Sequence, residues 1–352
     1  MIFSLLLSGY WKMIRGDEHI LIIKLSSIGD VVHTIPFVEV LKNNFPELRI
    51  DWCVDKEISH LIETYKRLNR VIACERGRWK KSLLKPFMWH ETVKEISFFV
   101  KELRNTSYDI VLDIQGLLKS GIIAGLCRGR RKIGCDGARE YGWIFVNETV
   151  PVNYEQHAID RYLQVARYLG CAELNWRWPF LITEAEKRRV DKLISELNKK
   201  RLPMVAINPY SRWKTKLWPI ERFSQLSEKL KKMGILPLLT GAKHQRSLID
   251  RIGGVNLAGM LNLRELTYLY SRVNAVISVD TGPMHIAVMA GAKVIALFGP
   301  TDPNRTGPYG DGHKVLRADL PCSPCFKREC KTIKCMKSIS VDEVIYQLEG
   351  MI

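Results

Sequence analysis

The segment ILIIKLSSIGD, residues 20–30, is an apolar run that ends in a short Ser/Gly loop and a carboxylate, Asp30. In a twisted α/β sheet, ligands bind beyond the carboxyl ends of the strands, so this pattern predicts that Asp30 lies where chemistry occurs. The same design recurs downstream, where the predicted strand Ala275–Val279 ends in Asp280-Thr281-Gly282-Pro283 and opens a helix. Two such strand ends, one in each half of the chain, predict two domains with a cleft between them.

The composition is that of a folded protein with an anionic partner. Apolar residues make up 46% and charged residues 26% of the 352 residues, which is ordinary for a globular chain. The formal charge of +17 is unusual, because 54 Lys and Arg face only 37 Asp and Glu. Such an excess predicts binding to nucleic acid, a nucleotide, a phosphorylated lipid or a membrane surface.

The N-terminal residues carry no pattern of a membrane span or signal peptide. The run Ile2–Leu7 is too short to cross a bilayer and has no basic region before it. Residues 1–18 are therefore set apart as a candidate non-native extension, and a cytoplasmic location is expected. The five scattered cysteines Cys53, Cys74, Cys127, Cys135 and Cys171 are then expected to be reduced and to fill core space.

Strand-like apolar runs alternate with helix-period segments, which is typical of βαβ units and a largely parallel sheet. We therefore predict an N-terminal domain over residues 19–178, a second domain over 179–338 and a last helix within 339–352. The predicted strands are His19–Leu25, Arg49–Val54, Arg70–Cys74, Tyr108–Ile114, Arg131–Gly134, Met204–Asn208, Ile235–Thr240, Ala275–Val279 and Val294–Phe298. The predicted helices are Val31–Asn44, Ile58–Tyr65, Glu91–Leu103, Leu117–Cys127, His157–Leu169, Glu221–Lys232, Lys243–Ile252, Leu263–Ser271, Met284–Ala290 and Ser340–Glu349.

The loop before Asp30 is built from small residues, including Ser27 and Gly29, that let a substrate approach the backbone amides of the next helix. Two roles for Asp30 stay open at this point. The carboxylate can cap the helix, or it can act as a general base towards a hydroxyl.

Three loops of the second half point to a nucleotide diphosphate. Thr281 and Gly282 offer a hydroxyl and backbone amides at a helix N-terminus, although an Asp N-cap followed by Pro is a common structural arrangement as well. A second loop, Gly299–Pro303, follows the next predicted strand. The loop 208–219 contributes Lys216, whose ammonium group can neutralise a departing diphosphate. The chain contains neither a Walker P-loop nor a GxGxxG fingerprint, which disfavours ATP hydrolysis and NAD chemistry.

Basic residues gather in the first half, where an acidic acceptor, a nucleic acid or solvent alone are the three alternatives for their partner. Trp79 lies among them, yet no nucleic-acid-binding motif accompanies it. The cluster comprises Arg76, Arg78, Lys80 and Lys81, together with Lys119 and Arg139.

Four cysteines lie close together near the C-terminus, as Cys322-x2-Cys325-x4-Cys330-x4-Cys335. The spacing resembles a set of zinc ligands but is not that of a standard zinc finger. The alternative is a surface loop of free or redox-labile thiols. A nucleic-acid-binding module with a zinc site would explain the charge and the thiols, but it leaves the Asp30 and Asp280 loops unexplained.

Several of these segments, in this order, resemble the lipopolysaccharide heptosyltransferases of glycosyltransferase family 9. KLSSIGDVVHTIP at residues 24–36 is similar to the opening loop of the family, and DIQGLLKSG at 113–121 to its mid-domain signature. SVDTGPMHIA and FGPTDP are similar to its donor site. The match extends over nearly all of residues 20–345 and is strongest to the type I enzymes, whereas the cysteine-rich loop is more reminiscent of type II.

The resemblance implies a glycosyltransferase B fold: two Rossmann-like domains with parallel sheets facing across a cleft, the last helix packing back on the first domain. It implies a cytoplasmic, monomeric enzyme at the inner face of the inner membrane. The reaction would be an inverting, metal-independent transfer of L-glycero-D-manno-heptose from ADP-heptose to Kdo-lipid A. No cofactor and no nucleic acid are expected to bind.

The resemblance also implies roles for individual residues. Asp30 becomes the catalytic base, and Lys216 stabilises the leaving group. The donor would be bound by Ser211, Arg212, Lys216, Asp280, Thr281, Gly282, His285 and Gly241. The acceptor would be bound by Ser27, Gly29, Arg76, Arg78, Lys80, Lys81, Lys119 and Arg139.

Overall fold

The computed structural model describes residues 13–352, which divide into two compact units. The first unit extends to Pro179 and the second begins at Phe180, one residue beyond the predicted boundary. The two units are described separately below.

The first unit is a six-stranded parallel sheet with helices between its strands. The strand order is β3-β2-β1-β4-β5-β6. Strands β2 and β3 therefore lie on one side of β1, and strands β4, β5 and β6 lie on its other side. The strands are β1 His19–Ile23, β2 Arg49–Asp55, β3 Arg70–Cys74, β4 Ser107–Asp113, β5 Arg128–Cys135 and β6 Glu148–Val150. The helices are α1 Ile28–Asn44, α2 Lys56–Ser59, α3 Arg76–Ser82, α4 Trp89–Arg104, α5 Leu118–Leu126 and α6 Ala158–Tyr168, with 3₁₀ turns at Pro86–Met88 and Gly142–Phe145.

The second unit repeats this topology. Its strand order is β12-β11-β10-β7-β8-β9. Strands β8 and β9 lie on one side of the first strand, β7, and strands β10, β11 and β12 lie on its other side. The strands are β7 Met204–Asn208, β8 Leu236–Leu239, β9 Val255–Asn256, β10 Ala275–Val279, β11 Val294–Phe298 and β12 Lys314–Arg317. The helices are α7 Glu184–Leu197, α8 Ile220–Lys232, α9 Arg246–Asp250, α10 Leu263–Ser271, α11 Gly282–Met289, α12 Pro303–Thr306, α13 Lys334–Ser338 and α14 Val341–Glu349, with 3₁₀ turns at Lys214–Lys216 and Lys243–Gln245.

The predicted α/β class with two parallel sheets is confirmed. Strand β1 pairs in parallel with β2 and β4, and β10 pairs in parallel with β7 and β11. All five residues of β10 are buried, as expected for a central strand with helices on both faces of the sheet. This register aligns the carboxyl ends of β1 and β4 in one unit and of β7 and β10 in the other. Each pair of ends is a topological switch point, where open α/β sheets bind their ligands.

The last helix, α14, belongs to the core of the second unit. Val341, Val344 and Leu348 are buried in the same apolar cluster as Phe223 and Leu297. The helix begins at a capping box, in which Ser340 and Glu343 bond reciprocally. The apolar side chains of α14 thus complete the core of the second unit, and the packing of residues 339–352 back on the first domain stays a prediction.

The proposed N-terminal extension is only partly described, since residues 1–12 lie outside the described part of the chain. Residues 13–18 pack in the first unit. Ile14 is buried, and its amide donates to the carbonyl of Leu169 at 2.9 Å. Glu18 is also buried and accepts hydrogen bonds from two backbone amides of this segment. Residues 13–18 therefore contribute to the fold instead of standing apart from it.

Among residues 13–352, no helix is both long and apolar enough to cross a membrane.

Candidate functional site

The Asp30 carboxylate lies in the first turn of α1, at the carboxyl end of β1. Its Oδ2 atom accepts from the Ser27 amide at 2.7 Å and from the Ser27 hydroxyl at 2.9 Å. The capping role left open by the sequence is therefore realised. The side chain is still 38% exposed, and its Oδ1 atom is 3.6 Å from the ammonium group of Lys24. Capping and the contact with Lys24 thus use different oxygens of one carboxylate.

Lys24 is a buried cation directly beneath Asp30. Its ammonium group donates to the Tyr162 hydroxyl at 2.6 Å and to the Ile114 carbonyl at 3.1 Å. Burial alone would lower the pKa of Lys24, but its interactions with Tyr162 and Asp30 hold that pKa above the ordinary value. Lys24 is therefore charged at neutral pH, and it fixes a positive charge at the floor of the site.

A polar cavity of about 160 Å³ opens beside Asp30 within the first unit. Its wall includes three cations, Lys24, Arg139 and Arg161, against the single carboxylate of Asp30. The Arg161 guanidinium stacks on Tyr154 at 5.2 Å, and its buried Nε has no hydrogen-bond partner among the described residues. A buried donor without an acceptor is costly. An anionic ligand in this cavity would satisfy it.

The loop after β4 orders the other side of this cavity. Asp113 accepts from the amides of Gln115 and Gly116 and from the Ser120 hydroxyl. Burial raises the pKa of Asp113, while these hydrogen bonds oppose the shift. The loop thereby places the Gln115 side-chain oxygen against the Ser26 amide, and it brings the Lys119 ammonium to 3.0 Å from the Ser26 hydroxyl. The DIQGLLKSG segment thus braces the loop that carries Ser27 and Gly29.

Four members of the predicted basic cluster lie on α3, and they differ in their ion-pair partners. Arg76 pairs with Asp55 at 2.7 Å, at the carboxyl end of β2. Arg78 pairs with Glu75 and Glu95, whereas Lys80 and Lys81 are exposed. Burial and the nearby Arg76 lower the pKa of Lys119. The structure therefore brings Lys119 and Arg139 to the Asp30 region and leaves Lys80 and Lys81 on the surface of α3.

In the second unit, Asp280 organises a cluster at the carboxyl end of β10. Its Oδ2 atom accepts from the ammonium group of Lys216 and from the Thr301 hydroxyl, each at 2.5 Å. Its backbone carbonyl accepts from the Ser211 hydroxyl at 3.4 Å. Asp280 is buried, so it positions Lys216 and is not itself presented to solvent. Thr281, not Asp280, is the N-cap of α11, which corrects the capping alternative.

The other predicted donor residues have different surroundings. Gly282 is the first residue of α11, and His285 is buried within that helix. Arg212 is exposed. Gly241 is closely packed, since a Cβ there would lie 2.5 Å from the Cδ1 atom of Ile249. The structure therefore gathers Ser211, Lys216, Asp280 and the start of α11 and leaves Arg212 on the surface.

The cysteine-rich loop lies against this cluster. Thr215 is buried and donates to the Lys327 carbonyl at 2.8 Å. The Trp213 ring is contacted by the Lys216 ammonium at 4.7 Å and by the Arg328 guanidinium at 4.9 Å. The loop also meets Pro300, whose carbonyl accepts from two consecutive amides, those of Cys325 and Phe326. The loop thus supports the segment that carries Lys216.

All nine cysteines are free thiols, and the five scattered ones are buried, as expected for them. Within residues 13–352, no group of three or more His, Cys, Asp or Glu side chains is arranged to hold a metal ion. The zinc alternative for Cys322, Cys325, Cys330 and Cys335 is therefore not supported by their arrangement. Hydrogen bonds from the Ile333 amide and from Thr332 lower the pKa of Cys330.

The sequence signature described as "Glycosyltransferase family 9 (heptosyltransferase)" matches residues 96–336. The chain belongs to this glycosyltransferase family. Lipopolysaccharide heptosyltransferase 1 of Pseudomonas aeruginosa is 30% identical over 88% of this family 9 chain and 87% of its own length. Lipooligosaccharide heptosyltransferase 2 of Haemophilus ducreyi is 24% identical over 85% of the chain and 88% of its own length. The solved structure of the Escherichia coli heptosyltransferase WaaC with ADP superimposes with a TM-score of 0.76, at 26% identity, covering 95% of this chain and all of that one.

Five polar residues of the first unit's cavity were not singled out from the sequence: Lys24, Gln115, Tyr154, Arg161 and Tyr162. Lys24 and Gln115 lie inside the quoted KLSSIGD and DIQGLLKSG segments. Each is a polar residue at or next to the end of a predicted strand, and this position was the signal that could have identified them as site residues. Arg161 follows the predicted start of α6 by one turn. Tyr154 gave no signal, because it lies in a loop without a motif.

Proposed function

We propose that this family 9 glycosyltransferase moves L-glycero-D-manno-heptose from ADP-heptose to the Kdo of Kdo-lipid A. The observation that carries the acceptor proposal is the cationic cavity beside Asp30, with the unpartnered Nε of Arg161 in its wall. Kdo is a sugar that bears a carboxylate, which is the ligand chemistry that such a wall favours. The higher identity to a type 1 than to a type 2 heptosyltransferase supports the same acceptor.

The donor proposal rests on the Lys216 cluster of the second unit. A diphosphate carries negative charge that grows as the sugar bond breaks, and Lys216 is held in place by Asp280 to meet it. The amide at the start of α11 adds the positive end of a helix dipole. These groups supply the stabilisation without a metal ion. Addition of a chelator is accordingly expected to leave turnover unchanged.

The proposed step is a single displacement. Asp30 takes the proton of the acceptor hydroxyl, and the oxygen attacks the anomeric carbon of the heptose. The bond from that carbon to the diphosphate oxygen breaks at the same time, so ADP leaves and the anomeric configuration inverts. The Lys24 ammonium, 3.6 Å from Oδ1 of Asp30, places a positive charge beside this carboxylate.

The deciding experiment measures ADP release and product mass with ADP-heptose and either Kdo-lipid A or a core that already carries one heptose. Transfer of one heptose to Kdo-lipid A, and none to the heptosylated core, supports the type 1 proposal. Transfer only to the heptosylated core would establish the type 2 alternative and retain the donor assignment. The absence of ADP release with either acceptor, together with release of UDP from a UDP-sugar donor, would refute the proposal.

A further inference from the structure

Large apolar side chains are concentrated on one exposed segment of the first unit. Between residues 83 and 98, six such side chains are exposed, and Leu84, Phe87 and Phe98 are 80%, 82% and 70% accessible. Scattered single apolar residues are ordinary on a protein surface, but a contiguous group marks an interaction site. The six residues are Leu83, Leu84, Phe87, Trp89, Val93 and Phe98.

The segment is amphipathic because of the way α4 packs. Thr92, Phe99 and Leu103 are buried, whereas Val93 and Phe98, on the two flanks of this buried face, are exposed to solvent. The 3₁₀ turn Pro86–Met88, which immediately precedes α4, has no buried residue. The exposed apolar group therefore belongs to a folded helix and turn, and it is not a consequence of an unformed loop.

The same segment is strongly basic. Residues 76–105 contain eight Lys and Arg against three Glu. Among residues 13–352, Lys85, Lys94 and Lys101 have no ion-pair partner. These three cations thus lie within the segment that exposes the apolar group and are available to an external anion.

A shallow groove of about 580 Å³ continues this surface along α4. Ile96 and Val100 supply its apolar part, and Lys101, Arg104 and Arg128 supply three cations. Within the described residues 13–352, no acidic side chain lines it. Apolar area next to unopposed positive charge is the combination that anionic lipid bilayers attract.

We propose that residues 83–104, with Arg128, form a docking face for the surface of an anionic lipid bilayer. The aromatic and aliphatic side chains insert at the headgroup level, and the lysines and arginines contact anionic headgroups. Trp89 is suited to this depth because its ring is apolar and its Nε1 group is polar. The inference rests on the proposed function in one respect, since a lipid-borne acceptor gives the docking its purpose.

The test is cosedimentation with vesicles that contain no acceptor lipid, made of equal parts phosphatidylethanolamine and phosphatidylglycerol, or of phosphatidylcholine alone. The triple variant Leu84→Ser, Phe87→Ser, Phe98→Ser is expected to lose about tenfold or more in affinity for the anionic vesicles. The variant Lys85→Gln, Lys94→Gln, Lys101→Gln is expected to lose about 100-fold and with it the preference for anionic lipid. Tyr346→Ser, at a residue of α14 that is 73% exposed, is the matched control and is expected to bind normally.

Unchanged vesicle binding by both triple variants would overturn the inference, as would an equal loss in Tyr346→Ser. Binding only to vesicles that contain the acceptor would also overturn it, because the face would then hold the acceptor's own chains. Turnover with a soluble Kdo acceptor that lacks acyl chains reports separately on the proposed function. All variants are expected to retain that turnover, and its absence in the wild type would refute the proposed function while leaving the docking result intact.

Discussion

At the scale of single residues, Asp30 combines two duties whose separation can be measured. Asp30→Asn keeps an acceptor for the Ser27 amide but removes the basic carboxylate. We expect turnover to fall by about 10²–10⁴-fold, the range of general base catalysis, with ADP binding unchanged. Initial rates and calorimetric titration with ADP are the measurements.

Asp30→Ala is the companion variant, since it removes the cap as well. It is expected to lose about 1 kcal/mol in free energy of unfolding relative to Asp30→Asn, measured by urea denaturation. If Asp30→Asn retains wild-type turnover, Asp30 is only a capping residue and the base lies elsewhere.

Lys216 and Asp280 form a pair whose stability and activity respond differently to substitution. Among residues 13–352, Lys216→Met leaves the buried Asp280 carboxylate with Thr301 as its side-chain partner, and the free energy of unfolding is expected to fall by about 1–3 kcal/mol. The double variant Lys216→Met, Asp280→Asn is expected to recover part of that stability but none of the activity. Denaturation and rate measurements on both variants check this, and recovery of turnover in the double variant would contradict a role for Lys216 at the diphosphate.

Cys330 is expected to be the most reactive thiol towards iodoacetamide. Its pKa is lowered, so a larger fraction is thiolate at neutral pH, and alkylation should reach half of its maximal rate below the pH of an ordinary thiol. By contrast, burial raises the pKa of Cys127, Cys135 and Cys171 to about 12. Mass spectrometry of peptides after timed labelling measures each site, and equal rates at Cys330 and Cys171 would contradict the assignment.

At the scale of elements, the cysteine-rich loop and the 3₁₀ turn Lys214–Lys216 are coupled through one buried hydroxyl. Thr215→Val removes the hydrogen bond to the Lys327 carbonyl and is expected to raise the KM for the donor several-fold with a smaller effect on kcat. The loss of stability should be about 1 kcal/mol.

Thr267→Val is the matched control. The Thr267 hydroxyl also donates to a backbone carbonyl, that of Leu263, at 2.8 Å, and it is likewise buried. A similar loss of stability without a change in KM is expected there. An equal rise of KM in both variants would show that the effect is a general loosening of the second unit.

The sequence predicted the long apolar elements better than the short polar ones. Strands β3, β7, β10 and β11 lie where their apolar runs indicated. Helix α3 was not predicted, because its residues RGRWKKS have no apolar period, and α7 was missed because it buries only Val190. The predicted helix Ile58–Tyr65 is instead the short α2, Lys56–Ser59, followed by turns.

The sequence predicted those residues of the candidate site that follow a strand end. It did not predict the residues whose place in the site depends on tertiary contacts. Asp30 and Asp280 follow strand ends, so the topology alone indicated their places. The contact of Thr215 with Lys327, which joins residues far apart in sequence, has no local pattern. Arg161 reaches the cavity from α6, and no periodicity indicates that its Nε atom will lack a hydrogen-bond partner among residues 13–352.

At the scale of the whole molecule, the two units allow donor and acceptor binding to be located independently. Hydrogen exchange with saturating ADP alone is expected to protect residues 208–216, 280–285 and 299–303 first and most strongly, all of them in the second unit. At an ADP concentration of 100 times Kd, the stabilisation amounts to about 2.7 kcal/mol. Protection confined to residues 24–30 and 113–121 would instead place the nucleotide in the first unit.

Each unit is formed by one continuous stretch of the chain, and this has a consequence for synthesis on the ribosome. Every residue assigned to the first core precedes residue 180, whereas the second core is completed only by α14, Val341–Glu349. At translation rates of roughly 5–20 residues per second, residues 180–352 take about 10–35 s to emerge. The first sheet can therefore fold during that interval, while the second must wait for nearly its whole length. A stalled or truncated nascent chain that lacks α14 would carry a finished first unit and an unfinished second one, and it would be a substrate for chaperones and proteases.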